Sequence, residues 1–98
     1  MEIQDLFESA KNESSDRFKM KFSNFLYEHP QYSNLSQSNK KIIIDLVHKH
    51  IDAIRDGRGI SDYIIEHETH DLYEKRLKLN ITEKDLEDIR EIMHLFEK

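Results

Sequence analysis

The chain has no cysteine, one proline and two glycines. Without cysteine there is neither a disulfide framework nor a thiolate metal site. No unbroken apolar run exceeds three residues, as at Ile42–Ile44, which excludes a membrane-spanning helix of about 20 apolar residues. The opening Met1-Glu2-Ile3-Gln4-Asp5 lacks the basic start and apolar block of a secretory signal, so a cytoplasmic location is expected. No segment alternates with period two, so no strands are expected. There is no internal repeat and no low-complexity tract.

What the chain has in quantity is charge. Of its 98 residues, 37% are hydrophobic and 36% charged, and the net charge is −5 with histidines neutral. That length makes one domain with a modest core, in which a buried polar group needs a partner. An acidic balance opposes binding to a phosphate backbone and favours a basic protein partner. The six histidines add leverage, since protonating all of them carries the formal charge from −5 to +1.

Apolar residues recur at helical spacing nearly throughout. Ile3, Leu6, Phe7 and Ala10 form one stripe; Phe18, Phe22, Phe25 and Leu26 form another. Ser14 keeps the phase between them, so residues 2–28 are either one helix or two meeting at an N-cap on Ser14 or Ser15. A break is favoured, because Asn and Ser compete with helix by bonding nearby backbone. Core packing is the expected role of the three phenylalanines.

Pro30 ends this region and pushes His29 out of helical geometry. Ser36 or Ser38 starts the next helix, expected to run to about Asp56. Its apolar residues, from Ile42 to Ile54, cover well over half of its circumference, which marks it as the central helix. His50 lies inside that arc and is expected to be a core histidine bonded to a carbonyl or carboxylate.

Gly57 provides a left-handed stop. Ser61 caps a third helix reaching Lys78 or Leu79, with Ile60 and Ile65 as its staple and Asn80 as its terminator. Thr82 and Asp85 form a capping-box-like start, flanked by Ile81 and Leu86. The final helix carries Leu86, Ile89, Ile92, Met93 and Phe96 on one face. The pattern specifies an all-α fold, read as an antiparallel bundle of four or five helices.

The third helix changes character along its length. Ile60, Tyr63 and Ile64 define an apolar stripe that continues as His67, His70, Asp71 and Glu74. The start is expected to be anchored by Ile60, Tyr63 and Ile64, and the end by Leu72 and Leu77. A zincin motif fails here because His67 and His70 are three apart, not four, and a closed zinc site needs three or four ligands. Asp45/His48 and Glu91/His94 resemble di-iron carboxylate–histidine pairs but point away from the apolar faces. A helix-turn-helix around Ala53 and Gly57 would carry an acidic recognition helix, the wrong sign for DNA. No nucleophile arrangement or phosphate loop is present. Asp62, Glu66, His67, Glu68, His70, Asp71 and Glu74 are therefore expected to form an exposed, partner-binding surface. No catalytic residue, metal or cofactor is assigned.

The C-terminal third, Leu72-Tyr73-Glu74-Lys75-Arg76-Leu77-Lys78-Leu79 followed by Ile81-Thr82-Glu83 and the periodic Leu86, Ile89 and Ile92, resembles small immunity proteins that protect producers of pediocin-like bacteriocins. The segment Pro30-Gln31-Tyr32-Ser33-Asn34-Leu35 is similar to one found before their second helix. The resemblance implies an antiparallel four-helix bundle and self-protection by binding, with specificity in the last helices.

The leading expectation is a non-enzymatic immunity, antitoxin or inhibitor-type protein of bacterial or phage origin, binding a toxin or bacteriocin-linked target. The alternatives are a metal-binding protein built on His67, His70, Asp71 and Glu74, and a homodimeric regulatory module using the wide arc of the central helix.

Overall fold

The computed structural model describes residues 1–32 and 34–97, and every regular element among them is helical. Seven α-helices follow in order: α1 (Ile3–Asn12), α2 (Ser15–Glu28), α3 (Gln37–Lys49), α4 (Ile51–Arg55), α5 (Asp62–Glu74), α6 (Arg76–Leu79) and α7 (Glu83–His94), with a 3-10 turn at Pro30–Tyr32. Ser33 of the Pro30–Leu35 segment lies outside the described residues. No helix among them is long and apolar enough to cross a membrane.

Local chemistry sets most boundaries. The side chain of Ser14 accepts from the Arg17 N–H, so α1 and α2 are separate helices. Ser36 accepts from Asn39 N–H at 3.1 Å and Ser61 from Ile64 N–H at 3.3 Å. Gly57 at φ 79° and Asn80 at φ 58° take the left-handed conformation, which ends a helix cheaply at such residues. Thr82 accepts from Asp85 N–H at 3.0 Å while the Asp85 carboxylate accepts from Thr82 N–H at 3.2 Å. That box satisfies two orphan donors. Thr82→Ala is expected to lower stability by about 1 kcal/mol, read as a lower urea midpoint; an unchanged midpoint would show that α7 is held by packing alone.

Two breaks depart from the sequence reading. The helix expected to reach Asp56 unwinds at His50 (φ −109°, ψ 24°), and the one expected to reach Leu79 unwinds at Lys75 (φ −98°, ψ 6°). Neither break carries glycine, proline or a capping side chain.

α1 packs on α2 and α4, α2 on α3, and α7 lies between α3 and α5. The core gathers Leu6, Phe18, Phe22, Ile43, Val47 and Ile65 with Ile89, Ile92 and Phe96 of the C-terminal segment, all fully buried. α3 is not the most enclosed helix: Ile42, Ile44 and Leu46 are only partly buried. α7 buries Leu86, Asp88, Ile89, Ile92 and Met93. Arg55 Nε donates to the Ala10 carbonyl at 2.7 Å and fastens α4 to the end of α1.

Surface pairs set the acid response. Hydrogen bonds from Lys21 and then Arg17 hold the Glu13 carboxyl below its ordinary 4.5. Those from Lys41, with Lys19 nearby, hold Asp45 below 3.8. A carboxyl lowered in the folded state contributes stability above its unfolded value and loses it as pH falls through the folded one. Stability is therefore expected to drop below pH 4.5, more shallowly in a Glu13→Gln/Asp45→Asn variant. Equal acid slopes in urea titrations of the two proteins would count against these pairs.

Candidate partner-binding site

The third helix does not swap the face it buries. Along α5 the buried positions are Ile65, Glu68 and Leu72, spaced i, i+3 and i+7, and Ile60 precedes them at 0% exposure. This is one helical stripe, with a glutamate in its middle. Tyr63 and Leu77, expected as anchors, are 80% and 88% exposed. The seam begun by Tyr63 continues through His67, His70 and Glu74, and all of it faces solvent.

Asp62, Glu66, His67, His70, Asp71 and Glu74 are exposed, and Glu68 is not. At 5% exposure it belongs to the interior, and it leaves the partner-binding set. Its carboxylate accepts from Lys49 Nζ at 3.1 and 3.3 Å and lies 3.3 Å from His50 Nε2. A buried carboxylate needs such partners, and the bend at His50 brings Lys49 and His50 to the same oxygen, Oε2. The carboxylate expected beside His50 is thus found, on α5.

The remaining acids of α5 lie beside basic or histidine side chains of the same chain. Glu66 binds Arg90 of α7. Glu74 meets His70 at 2.9 Å, Asp71 meets Lys75 at 3.6 Å, and Asp62 faces His94 at 4.0 Å. Exposed pairs of this kind stabilise little, and Arg90 and Lys75 offset part of the charge that the sequence assigns to this face. The aromatic groups are paired too: the Tyr63 ring stacks on His67 with centroids 6.5 Å apart, and the Arg76 guanidinium sits 4.0 Å over Tyr73.

The structure does not gather His67, His70, Asp71 and Glu74 around one point. Among the described residues the ligand atoms that converge are those of Asp62, Glu66 and His94, within 4.8 Å of one another. Glu66 takes two N–H groups of Arg90, and His94 Nδ1 lies 3.2 Å from Glu97. Glu66, one of the three, is thus already engaged by a guanidinium. Of the di-iron-like pairs, Asp45 lies with Lys41 and Lys19. Ile42, Ile44 and Leu46 of the α3 arc behind the homodimer expectation are partly buried against the core.

Between α5 and α7 runs an open groove of about 390 Å³. Thr69, His70 and Tyr73 line one side; Glu83, Leu86 and Glu87 line the other, and the Glu66–Arg90 pair bridges the two helices. Sequence reasoning missed Tyr73, Glu83 and Glu87. For the two glutamates the signal was the i, i+4 and i+7 recurrence of Glu83, Glu87 and Arg90 along one edge of the apolar face of α7.

No known protein family, no characterised protein and no solved structure gives a significant match to this chain.

Proposed function

We propose that this all-helical protein is a non-enzymatic binding protein that engages and neutralises a protein partner through the α5–α6 face, in the manner of an immunity protein, antitoxin or inhibitor. One observation carries the reading: of the six exposed large hydrophobic side chains, three, Tyr63, Tyr73 and Leu77, lie on these two short helices. Large apolar groups held in water beside charged neighbours are the material of interface centres, and aromatic residues are enriched there. In this reading the arms α1, α2, α3–α4, α5–α6 and α7 make a five-member antiparallel bundle that presents its fourth arm, α5–α6, to the partner. The protein works in a bacterial or phage-infected cytoplasm, without cofactor and without nucleic acid, whose phosphates its net charge of −5 repels.

The test is quantitative capture from the native host's extract with wild-type protein and a Tyr63→Ser/Leu77→Ser variant. Both side chains are exposed, so stability should stay within about 0.5 kcal/mol. A partner retained by the wild type and lost by the folded variant is the expected result. Equal retention by both, or no specific partner at all, would overturn the reading.

A further inference from the structure

The charge bookkeeping of α5 and α7 is uneven. Of the five acids of α5, Glu66, Glu68 and Asp71 have an Arg or Lys of this chain within 4.0 Å, while Asp62 and Glu74 lie beside the histidines His94 and His70. On α7, Asp85 is held by Thr82 and Asn39, Asp88 by Lys84 at 2.6 Å, and Glu91 accepts from Tyr32. The Glu83 and Glu87 side chains form no hydrogen bond or ion pair among the described residues, and Glu87 feels the Lys84 ammonium only at longer range, since Lys84 is bonded to Asp88. Both glutamates are exposed, and both line the α5–α7 groove. Glu83 and Glu87 therefore place two carboxylates without an ion pair along one wall of a concave surface.

The groove has an apolar strip as well. Leu86, 6% exposed, lies at its base on the α7 side, and Tyr73, 43% exposed, stands on the α5 side. The lining residues recur at i, i+3 or i+4 and i+7 on both helices, a length of about 10 Å or two helical turns. An amphipathic helix lays anchors of that same spacing into a hydrophobic groove.

Resting on the binding reading above, the geometry points to the occupant: a partner's amphipathic helix whose apolar side meets Tyr73 and Leu86 and whose Lys or Arg side chains meet Glu83 and Glu87. The Glu66–Arg90 pair bridges α5 and α7 within the groove lining, which leaves Glu83 and Glu87 as the carboxylates open to an incoming cation.

Two fluorescent model peptides test this, one an amphipathic Lys/Leu helix and the other the same helix with Glu for Lys. Anisotropy titrations and amide chemical-shift mapping on the whole protein give the readouts. The Lys peptide should shift Thr69, Tyr73 and Leu86 most, bind more weakly as salt rises, and outbind the Glu peptide by roughly tenfold or more. A Glu83→Gln/Glu87→Lys variant should lose roughly tenfold in affinity for the Lys peptide, whereas Tyr63→Ser/Leu77→Ser, outside the groove, should leave it unchanged. Glu83 is made neutral rather than positive because a cation in the first turn of α7 would oppose the helix dipole. Equal binding of the two peptides, indifference to the groove variant, or shifts centred elsewhere would overturn the assignment. A native partner lost with Tyr63→Ser/Leu77→Ser but retained with Glu83→Gln/Glu87→Lys would overturn the groove and leave the binding reading standing. Absence of any native partner would remove that reading while the peptide titration still decides the groove.

Discussion

Phe96→Ala is expected to lower the unfolding free energy by about 3–5 kcal/mol, the range for losing a fully buried phenylalanine. Domains of this size hold about 5–15 kcal/mol in all. Each kcal/mol lost lowers Tm by about 4–8 °C, so the melting midpoint should fall by roughly 12 °C or more. The reason lies in what the ring joins. It sits 5.7 Å from Phe7 of α1, and 6.5 and 5.3 Å from Phe18 and Phe22 of α2, in tilted and edge-on geometries. Such pairs add to the area term. The Phe96 carbonyl also accepts from Ile60 N–H at 2.8 Å, fastening the start of α5. The ring thus closes α1, α2 and the end of α7 on each other, while the backbone carbonyl of the same residue ties in the α4–α5 connection. The rings around it belong to different helices, so the cavity cannot collapse without moving elements. Phe7→Ala, at a half-buried position, should cost clearly less. Equal losses for the two, or a loss at Phe96 under about 1.5 kcal/mol, would show that the segment after α7 is not docked as described.

Phe96 was legible before the fold was known, because it continues the i, i+3 recurrence from Leu86 and Ile89. The boundaries at Ser14, Ser36, Gly57, Ser61, Asn80 and Thr82 were legible for a related reason: caps and left-handed stops are local chemistry, decided within a few residues. The breaks at His50 and Lys75 were not, because no local residue forces them. The break at His50 serves a contact with Glu68, 18 residues away. Glu68 itself was misplaced by the rule that glutamates face water. Its phase, shared with Ile65 and Leu72, argued for the interior, and Lys49-His50 supplied the partners that make burial tolerable. The exposed Tyr63 and Leu77 are the same error in reverse. An apolar residue at helical spacing is expected inside, yet nothing in one sequence says which of two possible stripes the fold covers.

Glu68 also gives the second large expected effect. Lys49→Met and His50→Leu together should destabilise the protein by about 2–4 kcal/mol at neutral pH, by leaving a buried carboxylate without a cation. Lys49→Met alone should cost little, because the ammonium is 62% exposed and His50 remains at the same oxygen. His50→Leu alone should also be tolerated while Lys49 holds both carboxylate oxygens. The losses are therefore expected to be strongly non-additive, as for residues sharing one partner. Adding Glu68→Leu to the pair removes the stranded charge and places an apolar group between Ile65 and Leu72, so the triple variant should recover most of the loss. If the triple variant stays as unstable as the double, the loss arises from packing at the α3–α4 bend and not from the carboxylate.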